Sequence, residues 1–249
     1  QFRSLIADRW QDGRVFLAGD SAHQMPPFLA QGMCSGFRDA HNIAWKLDLV
    51  LHGLADAALL DTYEAERAPN ARATIVESMK VGQNVNERDP GKVSIRNDQL
   101  RALQAENQGA MGDKKLIAFR VPGFEAGLIS GDHGGRPIGQ SVVATRSREG
   151  KFDDVAGHGF VIISRNGRPR DVLTDDDLAF WAELGGKIVH IGDSNGTLKD
   201  IDGYFTRLMD EMSCDAIVKR PDYYMFAACE RIDDLPILIS ELRHRLQAA

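Results

Sequence analysis

Residues 15–42 read VFLAGDSAHQMPPFLAQGMCSGFRDAHN. An apolar run over 15–18 has the pattern of a strand and ends at Gly19-Asp20. A Pro26-Pro27 loop follows, then Gln31-Gly32, then a long amphipathic stretch. A strand that delivers an acid, followed by a glycine at a helix start, presents backbone N–H groups to an anionic ligand.

Working outward, Phe37, Ala40, Ile43, Ala44, Leu47, Val50, Leu51 and Leu54 recur at three- and four-residue spacing. They predict one apolar stripe on a helix over about 33–52, with Gly53 as its stop. Asp61 is placed to cap a second helix carrying Tyr63, Glu64 and Arg67. Pro69 falls inside that pattern and is expected to kink it or begin a new helix over 70–84. Residues 85–115 are polar, with Asp89-Pro90-Gly91 as a turn and 98–108 as a further helix. A junction is expected near 110–120, dividing the chain into 1–115 and 116–249.

Residues 121–150 are rich in glycine and turn residues and read as an extended connector with short strands. Beyond it come a strand over 160–163, a helix over 175–184, a strand over 187–191 and a helix over 202–212. A strand over 216–219, a turn at Arg220-Pro221-Asp222, a strand over 223–227 and a helix capped by Asp233 complete the series. Pro236 is tolerated in the first turn of that helix. The order β-α-β-α-β-β-α is that of a thioredoxin-like domain. No C-x-x-C pair occurs among Cys34, Cys214 and Cys229, so thiol–disulfide exchange is disfavoured.

Composition narrows the function classes. The chain is 43% hydrophobic and 27% charged, enough apolar residues for an ordinary core. Its net charge is −6, from 30 basic and 36 acidic residues, which argues against nucleic acid as a partner. Arg165, Arg168 and Arg170 are balanced by Asp171 and by Asp175, Asp176 and Asp177, as on a solvated loop. No apolar run approaches the roughly 20 residues of a membrane span, and three unpaired cysteines suit a cytoplasmic setting.

The wording of 15–42 resembles the second flavin-contacting motif of the flavin-dependent aromatic hydroxylases. The resemblance is strongest over the first eighty or so residues; at the C-terminus it rests on element order and the Arg220-Pro221-Asp222 turn. It implies an α/β fold, a partial FAD-binding region of strand, loop and long helices followed by a thioredoxin-like α/β domain. It also implies FAD as cofactor, NAD(P)H as co-substrate, and hydroxylation of a small phenolic substrate by molecular oxygen through a flavin C4a-hydroperoxide.

The same resemblance assigns residues. Asp20 would take the ribityl and pyrophosphate region, with Gly19 allowing close approach. Pro26 and Pro27 would lie beside the flavin ring. Gln31, Gly32, Met33 and Cys34 would offer backbone N–H groups to its pyrimidine edge. Ala30 stands where the family carries its first glycine, and Cys34 where it often carries asparagine.

The family's G-x-G-x-x-G fingerprint is absent; Gly157-x-Gly159 comes nearest, with Ile162 at the third position. The chain is therefore expected to be the C-terminal part of a longer monooxygenase, inactive alone, with a homodimer as one assembly. A non-catalytic assembly module is the alternative.

Other residues read more plainly. Cys34 near a helix start lacks the surroundings of a nucleophile. His23 is expected to order its loop rather than transfer protons, Arg38 and Asp39 to form an exposed or interface ion pair, and Trp45 to join the core. The loop from Gly192 to Gly196 lacks the lysine and spacing of a phosphate-binding loop.

Overall fold

The computed structural model of the chain describes residues 2–108, 119–192 and 198–247. Most of the expected junction at 110–120, and the loop beyond Gly192, lie outside the described residues.

Four short strands open the fold: β1 (Leu5–Ile6), β2 (Gln11–Asp12), β3 (Val15–Phe16) and β4 (His23–Gln24). They form two antiparallel pairs, β1 with β4 and β2 with β3, the latter turning at Gly13 with φ +56°. The strand expected over 15–18 is thus shorter than its apolar run. Leu17 still donates to the Trp10 carbonyl at 2.8 Å, but Ala18 gives its N–H to Ser21 Oγ at 3.2 Å. The chain then enters a 3-10 turn, Gly19–Ser21.

Three long helices follow. Helix α1 (Gly32–Leu51) lies within a residue of its expected span, and Gly53, at φ +69°, ends it. Helix α2 (Thr62–Asn86) continues through Pro69, so no new helix begins there. Pro69 is on the exposed side, and so is Ala65, whose carbonyl the missing N–H leaves free and open to solvent. Asp61 occupies the N-cap of α2 without a side-chain bond; Asp56 caps the preceding 3-10 turn (Ala57–Asp61) by accepting from Ala58 N at 2.8 Å. Helix α3 (Pro90–Gln108) begins earlier than expected. Asp89 Oδ1 accepts from Lys92 N at 2.9 Å, so Asp-Pro-Gly is a capped helix start with proline at the first position.

The burial of α1 overturns the stripe read from its sequence. Phe37 is 65% and Leu51 77% exposed, while Ser35, Asp39, Asn42 and Lys46 are fully buried beside Ile43, Trp45 and Leu49. The buried face is mixed, and its charges can be buried because they are paired with residues on other elements.

The rest contains β5 (Val142–Ala144), β6 (Glu149–Lys151), α4 (Phe152–Ala156), β7 (Val161–Ser164), α5 (Pro169–Val172) and α6 (Asp175–Glu183). Then come β8 (Lys187–His190), β9 (Lys199–Asp200), α7 (Tyr204–Met212), β10 (Ala216–Lys219), β11 (Met225–Cys229) and α8 (Leu235–Gln247). A four-stranded sheet has the order β11-β10-β7-β8, with β7 and β8 parallel and β10 antiparallel to both its neighbours. A crossover through α5 and α6 joins the parallel strands β7 and β8, and a C-terminal hairpin of β10 and β11 completes that order. A second sheet has the order β6-β5-β9.

Strands β7 and β10 are buried on both faces, and their side chains alternate between two cores. On one side, Ile162 and Val218 pack with Phe160, Trp181, Leu235 and Ile239, and with Trp45 and Leu49 of α1. On the other, Val161, Ile163 and Ile217 pack with Phe205 and Met209 of α7 and with Phe152. Each such aromatic or aliphatic side chain contributes roughly 1.5–3 kcal/mol by leaving water. Trp45 is core, as expected, and α1 is built into both halves of the fold.

Candidate functional site

Gly19 makes the turn from strand to loop with φ +60°. A Cβ added at Gly36, on α1, would stand 3.3 Å from Gly19 Cα, so the loop lies backbone to backbone on the helix. Tyr63 of α2 donates its hydroxyl to the Leu17 carbonyl at 2.8 Å and fixes the approach.

Asp39 organises this turn, and its role departs from the exposed or interface pair expected of Arg38 and Asp39. Its carboxylate is fully buried and accepts from Gly19 N at 3.0 Å, from His23 Nε2 at 2.7 Å and from Arg67 Nε at 2.8 Å. Burial alone would raise its pKa. The His23 N–H and the Arg67 guanidinium outweigh burial and hold it below the usual carboxylate range. His23 therefore orders the loop, as expected, with its Nε2 carrying the proton. Arg67 spans onward to Asn70 Oδ1 at 2.6 Å and Ser35 Oγ at 3.4 Å. Arg38 is half-buried and gives Gln31 Oε1 a bond of 3.3 Å; burial lowers its pKa, and neighbouring Arg67 lowers it further.

A cleft of about 480 Å³ opens beside this framework. Asp20, Pro26, Pro27, Gly32 and Met33 line it, together with Arg3, Met25 and Ala30. Five of the eight residues singled out in the sequence thus share one cavity. Gly19, Gln31 and Cys34 stand behind or beside it without lining it. Asp20 is exposed toward solvent.

The N-terminus of α1 points its first N–H groups outward with no side-chain cap at Gln31 and no acid in the first turn. These donors are free for an anion or an electron-rich ring edge. The cleft falls in the usual range of small-ligand sites, and the glycine contact and uncapped helix start suit a flat, partly anionic cofactor. Ala30, just before α1, sits at φ +53°, a left-handed conformation that glycine adopts without cost.

A second buried cluster ties this site to the four-stranded sheet. Glu66 of α2 accepts from Lys46 Nζ at 2.8 Å, Asn42 Nδ2 at 2.7 Å, Leu128 N at 2.8 Å, and Arg220 NH1 and NH2 at 2.8 and 2.7 Å. Arg220 also holds Asp222 through Nε at 3.1 Å and NH2 at 2.7 Å. The Arg220-Pro221-Asp222 turn is therefore an anchor between the halves. Burial would raise the Glu66 pKa, but Arg220 and Lys46 bring it down to about 2. Burial pushes Lys46 down to about 8, against the pull of Glu66.

Sequence reasoning missed Asp39, Glu66 and Arg67. The signal was helical spacing: Ser35, Asp39, Asn42 and Lys46 form one buried line along α1, and Glu66, Arg67, Asn70, Thr74 and Ser78 another along α2. Cys34 is half-buried and reduced, and Cys214 and Cys229 are buried, which pushes their thiols up to about 11 and about 12. Among the described residues no helix is long and apolar enough to cross a membrane.

Residues 1–78 match the family described as FAD binding domain, and residues 135–245 the family described as HcaD C-terminal domain. A probable NADH-specific resorcinol 4-hydroxylase of Rhodococcus jostii (strain RHA1) is 38% identical over 245 residues, covering 97% of this chain and 44% of that protein. A 3-(3-hydroxy-phenyl)propionate/3-hydroxycinnamic acid hydroxylase of Burkholderia cenocepacia (strain HI2424) is 33% identical, covering 90% of this chain and 45% of that protein.

Among solved structures, a flavin-dependent monooxygenase in complex with FAD and substrate superposes with a TM-score of 0.68 at 22% identity, covering 97% of this chain and 49% of that one. An anhydrotetracycline hydroxylase from Streptomyces rimosus does so with a TM-score of 0.68 at 25% identity, covering 98% and 46%. The chain spans somewhat under half the length of the curated relatives it matches.

Proposed function

Taking as premise a chain that joins a segment of an FAD binding domain to an HcaD C-terminal domain, we propose that it forms the flavin-facing part of an aromatic hydroxylase. The whole protein would use FAD, NAD(P)H and molecular oxygen to hydroxylate a small phenolic substrate. The observation that carries this reading is the cleft that gathers Asp20, Pro26, Pro27, Gly32 and Met33 at the open start of α1.

Each residue has a task suited to its chemistry. Asp20 accepts hydrogen bonds from the sugar-like hydroxyls of the cofactor. Gly19 and Gly36 let the backbone approach. The N–H groups of Gly32, Met33 and Cys34, with Gln31 at the cap, favour negative charge on the flavin's pyrimidine edge by about 0.3–2 kcal/mol. Pro26 and Pro27, which lack N–H donors, wall a dry reaction space. Reduced FAD held there would supply the oxygen chemistry, and the residues above would bind it, orient it and exclude water.

The proposed division is 1–115 for the flavin-facing part and 116–249 for a thioredoxin-like part that buttresses it through Glu66, Arg220 and Asp222. A cytoplasmic homodimer belongs to the same proposal, the dimer supported by exposed apolar side chains such as Val15, Phe37 and Leu51.

The test is FAD titration of the complete gene product, followed by NADH and NADPH oxidation with resorcinol and hydroxyphenylpropionates. The expected result is stoichiometric FAD and phenol-stimulated oxidation, with Asp20→Ala weakening FAD binding about tenfold or more while the melting temperature stays unchanged. A colourless wild type that oxidises neither nucleotide would sink the reading.

A further inference from the structure

The flavin-facing loop carries two successive prolines, so neither Pro26 nor Pro27 can hold its place by donating a backbone N–H. What fixes that loop is the far end of α2. Ser78 Oγ donates to the Pro26 carbonyl at 2.7 Å, and the pair is buried. One helical turn on, Gly82 faces the ring of Phe28. A Cβ built on Gly82 would clash with Phe28 Cδ2 and Cε2. Phe28 thus lies flat on bare backbone.

Glycine inside a helix costs roughly 1 kcal/mol relative to alanine. Gly82 is helical and makes no turn, so the close seat of Phe28 is the feature in the structure that requires it. Ser78 and Gly82 continue the line on α2 that, through Arg67, also holds Asp39 and hence Gly19. One helix face therefore grips the cofactor loop at two separate places.

We propose that Ser78 and Gly82 are positioning residues, which set how far the Pro26-Pro27 wall projects into the cleft and thereby how completely oxygen activation is coupled to hydroxylation. This rests on the function proposed above. In the coupled reaction, NAD(P)H, a proton, O2 and the phenol give NAD(P)+, the hydroxylated phenol and water. In the uncoupled one, NAD(P)H, a proton and O2 give NAD(P)+ and hydrogen peroxide. Both balance; they differ in whether the second oxygen atom reaches the ring or leaves with the first. A wall that recedes admits water and favours peroxide.

The experiment uses the complete gene product loaded with FAD, as wild type, Ser78→Ala, Ser78→Thr and Gly82→Ala, with Met79→Ala on the exposed side of α2 as control. Three readouts are taken: peroxide formed per NAD(P)H consumed, FAD affinity by flavin fluorescence, and hydrogen exchange of the Ala30 amide. That amide donates to the Pro27 carbonyl at 2.9 Å and reports on the loop without any turnover.

Ser78→Ala, by the loss of one hydrogen bond, and Gly82→Ala, by the clash of its methyl with Phe28, should each raise the peroxide share severalfold and speed Ala30 exchange by about tenfold. FAD affinity should stay near wild type. Ser78→Thr, which keeps the hydroxyl, should restore coupling, and Met79→Ala should behave as wild type.

Unchanged coupling and unchanged exchange in FAD-replete Ser78→Ala and Gly82→Ala would overturn the proposal while leaving the function intact. So would a fall in melting temperature with no change in the peroxide share. A wild type that takes up no FAD would remove the function itself, a distinguishable result.

Discussion

Replacing Glu66 by glutamine removes one charge from a fully buried, densely paired cluster. The carboxylate accepts five hydrogen bonds, from Lys46, Asn42, Leu128 and twice from Arg220, all within 2.7–2.8 Å. A glutamine amide puts an N–H donor where one oxygen stood. At least two of those donors then face a donor, and Lys46 and Arg220 share Asp222 as their remaining nearby acid. Breaking a buried pair from one side costs about 3–5 kcal/mol, because a charge is left in low dielectric.

For a chain of this size each kcal/mol moves the melting temperature by about 2–4 °C, so Glu66→Gln should lower it by on the order of 10 °C. The pH dependence gives a second signature. The folded-state pKa of Glu66, about 2, is depressed below its ordinary 4.5. Its stabilisation is therefore fully present above pH 4.5 and is lost as pH falls from 4.5 toward 2. The gap between wild type and Glu66→Gln should narrow over that window, which lies well below the range near pH 8 where Lys46, its partner, loses its proton. Thermal unfolding followed by circular dichroism at a series of pH values measures both. A gap at neutral pH of under about 1 kcal/mol, the worth of an exposed pair, would refute the reasoning.

Three further outcomes follow from the site. Ala30→Gly should stabilise the fold by up to about 1 kcal/mol, since relief of the left-handed alanine exceeds the added freedom of the unfolded chain; a thermal melt decides it. Gly36→Ala should cost roughly 1–3 kcal/mol and weaken FAD binding, because its methyl meets Gly19 Cα at 3.3 Å; flavin titration beside a melt separates the two effects. Asp39→Asn should destabilise by about 3–5 kcal/mol by stranding Arg67 in the interior. Hydrogen exchange at Gly19 should quicken in that variant, and a protected Gly19 amide would contradict the clamp.

Much of this was legible before any coordinates. The turn at Gly19, the proline loop and the start of α1 are written in residues whose backbone chemistry is local, so their places follow from the sequence. The element order over 160–247 was likewise readable, because β7 and β10 are short apolar runs bounded by turns. The buried face of α1 was not. Only part of its apolar stripe faces inward, since Phe37, Ala40, Ala44 and Leu51 are exposed, and Asn42 is buried by bonding Asp222, 180 positions away. Glu66 and Arg220 are 154 apart. No window along the chain contains both members of such pairs, and a buried charge read without its partner looks like a surface charge. Pro69 failed as a breaker for a related reason: whether its lost hydrogen bond matters depends on which side of the helix meets water.

Because α1 begins at the cleft and continues into the core of the four-stranded sheet, its ends serve different parts of the molecule through one rigid rod of about 30 Å. This bears on how such chains can be recombined. A chimera joined in the polar stretch after α3 would look like a clean exchange of modules. It would nonetheless separate Asn42, Lys46 and Glu66 from the Arg220 and Asp222 that neutralise them, and Trp45 from the Phe160 ring it packs against edge-on. Halves taken from different relatives would fit only where those residues are the same on both sides of the join, so the unit of inheritance here is larger than either half.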